Sequence, residues 1–230
     1  VDNYQRAVRI HEILLQFYGY PEWRNPLPPL DELISTILSQ NTNDINRDRA
    51  FEALKKRFST WEAVRDANED LVIDTIRIAG LANRKGPRIL NVLKQITLER
   101  GLLDLDFLKD LSPQDATDWL IKFNGVGPKT AAIVLLFSLK KPAFPVDTHI
   151  YRVSGRIGLR PKKMNADQAH KYLEGCFSED LYYPVHLNMI RLGREICLAR
   201  NPKCNKCPLF NLCDYYSEKF INAGSNLGRD

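Results

Sequence analysis

The stretch Phe123 to Leu136, FNGVGPKTAAIVLL, decides the fold. It predicts a helix end near Phe123, a tight turn through Gly125-Val126-Gly127, and a second helix opening at Pro128. Glycine admits the positive dihedrals of such a hairpin and lets a phosphate come close to the backbone. Proline suits a first helical turn, where its missing N–H would have had no partner. The exposed N–H groups at the start of the second helix, with the positive end of its dipole, make an anion site. A helix–hairpin–helix of this kind can clamp a nucleic-acid backbone without reading its sequence. The same residues also suit an ordinary helix-packing joint, and G-x-G alone leaves both open.

On either side of the hairpin the pattern is helical. AVRIHEILLQF (Ala7 to Phe17) repeats apolar residues at helical spacing, and DELISTILS (Asp31 to Ser39) opens with an acidic first turn. Arg49 to Phe58, Ser59 to Ala67 and Asp70 to Ala79 are short amphipathic segments, and Ser59-x-x-Glu62 has the pattern of a capping box. Gly80 ends one helix, Arg84 to Arg100 makes the next, and Gly101 closes it. Ser112-Pro113 opens another. No run of period-two alternation stands out, so the expectation is an all-α chain of about ten short helices. PEWRNPLPPL (residues 21–30) and KKPAFPVD (residues 140–147) are proline-rich joints and candidate boundaries. The first helix is then expected to pack with the C-terminal region.

Four cysteines near the C-terminus, Cys197, Cys204, Cys207 and Cys213, read C-x6-C-x2-C-x5-C. Four thiolates can hold a [4Fe–4S] cluster or a structural zinc. A zinc ribbon usually pairs two C-x-x-C knuckles a longer stretch apart, whereas this loop has one C-x-x-C flanked by looser cysteines. That spacing favours a cubane gripped by one segment, one cysteine per iron, with zinc as the alternative. Disulfides need an oxidising compartment, for which the sequence gives no sign. Cys176 reads as a small buried apolar residue.

The chain has 230 residues, 44% of them hydrophobic, which is ordinary for a globular protein. No apolar run is long enough to span a bilayer, and the N-terminal segment lacks a signal-peptide pattern. The expectation is an intracellular protein, in the cytoplasm or nucleoid if its source is prokaryotic. The absence of heptads suggests a monomer. Net charge is +5 and the sequence pI is near 8.9. From Trp119 to Arg152 the bases Lys122, Lys129, Lys140, Lys141 and Arg152 face one acid, Asp147. From Met189 to Pro208 the bases Arg191, Arg194, Arg200, Lys203 and Lys206 face one acid, Glu195. Arg156, Arg160, Lys162 and Lys163 lie between. Such windows read as a phosphate-binding face or as a solvated basic surface.

Lys129 stands just inside the second helix of the hairpin, where the positive end of the dipole favours a neutral, nucleophilic amine. It could equally be a phosphate contact. Asp147 in PVDTHIYRV stands where a helix begins and reads as an N-cap; a capping carboxylate can also act electrostatically. His149 reads as structural.

With these motifs in place, the chain resembles the helix–hairpin–helix DNA glycosylase superfamily, and within it the endonuclease III branch. GVGPKTA (Gly125 to Ala131), VDTHIYRV (Val146 to Val153), ILSQNTNDI (Ile37 to Ile45), AGLANRKG (Ala79 to Gly86) and the cysteine loop carry the resemblance across nearly the whole chain. It implies a two-lobed α-helical fold. A six-helix barrel lobe with the hairpin would span residues 22–135, and a [4Fe–4S] cluster lobe would form from residues 1–21 and 136–230. The partner would be double-stranded DNA carrying damaged bases or abasic sites, lying across the cleft between lobes.

The resemblance further implies a base-excision-repair glycosylase with AP-lyase activity. Lys129 would attack C1′ of a flipped oxidised pyrimidine nucleotide such as thymine glycol, with Asp147 assisting. A hydrolytic glycosylase for mismatched or alkylated bases, or a non-catalytic DNA-binding cluster protein, are the alternatives. Gly125, Val126, Gly127 and Thr130 would bind phosphate. Leu81 would wedge into the duplex, and Gln40 or Asn41 would fill the gap left by the flipped base. Arg200, Lys203 and Lys206 would add basic contacts. The family commonly has Gln at the place of Asn41 and a basic residue at the place of Pro128.

Overall fold

A computed structural model describes residues 3–221. Twelve α-helical segments and no strand occur among the described residues. α1 is Asn3–Tyr18, α2 Pro29–Ser39, α3 Asp44–Arg57, α4 Trp61–Arg65, α5 Glu69–Thr75, α6 Ala82–Arg100, α7 Pro113–Leu120 and α8 Pro128–Ile133. α8 runs on as a π-helix over Val134–Ser138. α9 is Thr148–Arg156, α10 Ala166–Glu174, α11 Tyr182–Glu195 and α12 Asp214–Tyr216. The chain divides into two compact units, Arg24–Lys141 and Val1–Trp23 with Pro142–Asp230. Both crossings fall within the proline-rich stretches 21–30 and 140–147.

Local chemistry sets the ends of these helices. Ser112 accepts from the Asp115 N–H and Pro113 takes the first turn of α7. Gly101 ends α6 at φ +77°, the left-handed conformation that costs glycine least. The capping box expected at Ser59 and Glu62 does not form; Thr60 is the N-cap, and Ala63 at the third helical position has no side chain to return the bond. Thr60 accepts from the Ala63 N–H at 3.2 Å, and α4 opens at Trp61. That register turns Trp61 inward, where its Nε1 donates to Asp31 Oδ1 at 2.6 Å. α6 also starts earlier than the expected Arg84, because Leu81 sits left-handed at its N-terminus.

In unit 24–141 the centre is α2. Leu33, Ile34, Ile37 and Leu38 are fully buried, and α2 packs against α3, α8 and the π-helical turn. Glu32 is buried on this helix too, and Arg24 Nη2 donates to its Oε2 at 2.6 Å. An unpaired buried carboxylate would cost several kcal/mol, roughly, so the arginine is what makes this position tenable.

In the other unit α1 packs on α11, as the first proline joint suggests. Arg6 reaches across to the Ile157 and Leu212 carbonyls and to Asp214 Oδ1, at 2.7, 2.6 and 2.7 Å. α9 and α11 meet at Gly193, where an added Cβ would lie 2.8 Å from the His149 Cβ. Any side chain there would push the two helices apart.

Candidate nucleic-acid interface and cysteine site

Gly125 and Gly127 do different work in the hairpin. Gly125 has φ +85°, and an added Cβ would lie 1.9 Å from Arg88 Nε. Gly127 has φ −98°, open to any residue, and an added Cβ would meet nothing within 4 Å. Only the first glycine is demanded by the fold. The second leaves bare backbone beside the N-terminus of α8, where an anion can come close. Ala131 N donates to Gly127 O, the first bond of the helix. The N–H groups of Gly127, Lys129 and Thr130 precede it and so have no helical acceptor.

Two of the hairpin residues expected to bind DNA have no side chain to offer. Val126 and Thr130 are each 4% exposed. The Val126 N–H also donates to the Phe123 carbonyl, which closes the turn. Lys129 is half-buried in the first turn of α8.

The segments expected to enter a duplex share an uncommon backbone. Asn41 (φ +53°) and Leu81 (φ +50°) are two of four non-glycine residues with positive φ among the described residues. For a bulky residue such as leucine this is a strained state, and strain of this kind gathers at functional sites. Asn41 is exposed, and Leu81 is 47% exposed. Gln40 is half-buried and bonded, its Nε2 donating to Gly125 O at 3.1 Å while Arg88 Nη1 donates to its Oε1.

Sequence reasoning missed Lys85. It is 1% exposed, and its Nζ donates to the Leu38 and Ala79 carbonyls at 2.7 and 2.8 Å. Burial, helped by the Arg88 charge, lowers its pKa to about 8. The available signal was a lysine on the apolar stripe of α6, whose inward positions include Ala82, Gly86, Ile89 and Leu93.

Asp147 is the N-cap of α9, its Oδ1 accepting from the Ile150 N–H at 2.7 Å. Further along α9, Arg152 Nε donates to the Cys197 carbonyl at 2.9 Å and its Nη2 to the Gly193 carbonyl at 2.8 Å. One turn on, Arg156 donates to the Leu198 and Ala199 carbonyls and approaches Cys197 Sγ at 3.4 Å. Two arginines on one face of α9 thus hold the start of the cysteine loop.

Cys197, Cys204, Cys207 and Cys213 line one cavity whose apolar wall includes Ile157, Leu192 and Ile196. Burial pushes the Cys207 thiol up to about 11; the Leu209 N–H opposes this, and charge on Cys197, Cys213 or Cys204 would raise it further. Burial is also the main cause raising Cys204 and Cys213. Cys204, Cys207 and Cys213 thus resist ionisation by burial, and a positive centre within the cavity would offset that cost. Among the described residues no three His, Cys, Asp or Glu stand close enough to form a metal-ion group. The fit rests on donor chemistry: four cysteine thiols line one cavity, and iron–sulfur groups take cysteine thiolates.

The basic windows are only partly a surface. Arg152 and Arg156 turn onto the protein's own carbonyls, Lys141 Nζ donates to Leu111 O at 2.6 Å, and Arg160, 7% exposed, donates to the Tyr151, Pro161 and Met164 carbonyls. Lys162 pairs with Glu218. The phosphate-binding face read from the windows is therefore narrower than their charge, because loop carbonyls need donors as phosphates do. Arg200, Lys203 and Lys206 are exposed on the cysteine loop. Among the described residues no helix is long and apolar enough to cross a membrane.

Residues 34–178 match the HhH-GPD superfamily base excision DNA repair protein, and residues 197–213 match the iron–sulfur binding domain of endonuclease III. The endonuclease III of Thermotoga maritima is 34% identical over 200 residues, covering 87% of this chain and 89% of that protein. The structure of a non-covalent endonuclease III–DNA complex aligns with a TM-score of 0.81 at 25% identity, over 96% of this chain and 99% of that one. A trapped endonuclease III–DNA covalent intermediate aligns at 0.79 and 26% identity, over 95% and 98%.

Proposed function

Because the chain belongs to the HhH-GPD superfamily of base excision DNA repair proteins, in its endonuclease III branch, we propose that it is a bifunctional glycosylase and AP lyase in which Lys129 is the nucleophile. It is an endonuclease III-like base excision repair DNA glycosylase with a [4Fe–4S] cluster. The observation that carries the finer reading is a lysine in the first turn of α8, two residues after the bare backbone of Gly127. The covalent endonuclease III–DNA intermediate among the aligned structures supports it.

The damaged nucleotide leaves the stack. The Lys129 amine forms a bond to C1′, and the bond from C1′ to the base breaks with its electron pair on the base, which takes up a proton. The sugar ring opens to a Schiff base, a C2′ proton is removed, and the 3′ phosphate departs by β-elimination. Water then releases the enzyme. Asp147 spends one oxygen on the cap of α9. As a carboxylate it stabilises positive charge growing on the sugar and helps the lysine shed its proton. Gly125 and Gly127 shape the hairpin that holds phosphate through backbone N–H groups. Leu81 is the apolar wedge and Asn41 fills the gap, while Gln40 braces the hairpin.

Cys197, Cys204, Cys207 and Cys213 are the residues that would hold the cluster. Ligation through these four residues would tie the loop at four points and so fix the backbone that presents Arg200, Lys203 and Lys206. An oxidised pyrimidine is the substrate class. Incubation of the protein with duplexes containing thymine glycol, a mismatch or an alkylated base tests this. Base loss with a 3′ nick on the thymine glycol duplex is expected. Base release without a nick, on the mismatch or alkylated duplex alone, would replace it with the hydrolytic alternative.

A further inference from the structure

Three segments proposed to meet DNA, residues 40–41, 79–81 and 125–127, are far apart in sequence, yet one face of α6 serves all three. Leu81 sits at its N-terminus, Lys85 four residues on, and Arg88 three beyond that. Residues at this spacing stack along one side of a helix. Arg88 braces the hairpin through Gln40, whose amide reaches the Gly125 carbonyl. Lys85 braces the other two segments. The Leu38 carbonyl belongs to the last turn of α2, and the Ala79 carbonyl to the last residue of a 3-10 turn, Arg77–Ala79. Neither has a continuing helix to accept from it.

An ammonium 1% exposed is a costly way to fill this volume. A methionine would occupy it without desolvating a charge, so the packing alone does not explain the lysine. Both carbonyls stand just ahead of a strained residue. Leu38 leads within three residues to Asn41, and Ala79 within two to Leu81. These are the two left-handed residues of the edge proposed to enter the duplex. One amine therefore fixes the spacing between two strained segments that belong to different helices. Backbone strain of that kind persists only where the surroundings over-determine it.

We propose that Lys85 is a positioning residue for duplex invasion: by bridging the Leu38 and Ala79 carbonyls, it holds the Asn41 and Leu81 segments at the separation needed to fill and wedge the stack. This rests on the assignment of Asn41 and Leu81 as the intruding residues. Lys85 is buried and spends its bonds on two backbone carbonyls, so its loss should affect entry into paired DNA and spare the chemistry. A general weakening of the fold would lower activity on every substrate alike.

The test compares wild type, Lys85→Met and Leu81→Gly in single-turnover cleavage of thymine glycol, placed once in duplex and once in single-stranded DNA. Lys85→Met should lose about tenfold or more on duplex, the loss of two charged hydrogen bonds, while single-stranded cleavage stays near wild type. Leu81→Gly should show the same selectivity, and the double variant should lose little beyond either alone. If Lys85→Met does not fold, Lys85→Gln, which keeps N–H donors without the charge, carries the same comparison. Equal losses on both substrates for Lys85→Met, or no loss on either, with Leu81→Gly still selective, would overturn the role of Lys85 alone. Equal losses for Leu81→Gly would overturn the wedge assignment beneath it.

Discussion

Replacing each hairpin glycine by alanine should separate folding from binding. Gly125→Ala places a Cβ at φ +85°, which costs an L-residue about 1–2 kcal/mol. The same Cβ lies 1.9 Å from Arg88 Nε and 2.3 Å from its Cδ, so the arginine must leave. It then gives up its hydrogen bond to Gln40, a charged bond of about 1.5–3 kcal/mol. Together these reach roughly 3 kcal/mol, or a fall in melting temperature on the order of 5–10 °C for a chain of this size. Gly127→Ala meets no atom within 4 Å and keeps an allowed φ of −98°. It should melt within about 1 °C of wild type. Its methyl stands where phosphate is proposed to approach, so affinity for a non-cleavable abasic duplex should fall about tenfold. Thermal melts and fluorescence anisotropy read the two effects. A Gly127→Ala protein that binds as wild type, or a Gly125→Ala protein that melts as wild type, would refute the division of labour.

The same contacts have other consequences. Lys85 loses its proton at about 8 in the folded chain and at its usual 10.5 once unfolded, so the unfolded state binds more protons in between. Stability from this group should therefore rise with pH from 8 to 10.5, by roughly 3 kcal/mol at most. Urea midpoints across that window should show the rise in wild type and lose it in Lys85→Met. Replacing Arg200, Lys203 and Lys206 together by alanine should lower the slope of log binding constant against log salt by about 3. Iron removal should reproduce that loss by releasing the loop, as salt titrations of the stripped protein would reveal. Arg156→Gln removes the donor to Leu198, Ala199 and Cys197. Its absorbance near 400 nm (roughly, for thiolate-bound iron–sulfur) should bleach faster in air than that of wild type.

Much of this was legible from local chemistry. The hairpin, the Pro128 start, the Asp147 cap and the cysteine loop depend on residues a few positions apart, so their spacing carries them. Long-range contacts are another matter. Nothing local says that Lys85 turns inward to Leu38, forty-seven positions away, and not outward to solvent. Arg152, Arg156 and Arg160 counted as surface charge in the sequence, yet each donates to a loop carbonyl, those of Cys197, Leu198 and Pro161. Charge windows report where basic residues lie along the chain and say nothing of direction. The two glycines of the turn looked equivalent for the same reason. Only the backbone dihedral and the position of Arg88 tell them apart.

Sodium borohydride trapping tests the central claim most directly. Wild type and Lys129→Ala are incubated with thymine glycol and abasic duplexes, and the trapped product is digested and sequenced by mass spectrometry. A covalent adduct in wild type, carried by the peptide containing Lys129 and absent from Lys129→Ala, is the predicted result. An adduct of undiminished yield in Lys129→Ala, or cleavage by wild type with nothing trapped, would contradict it.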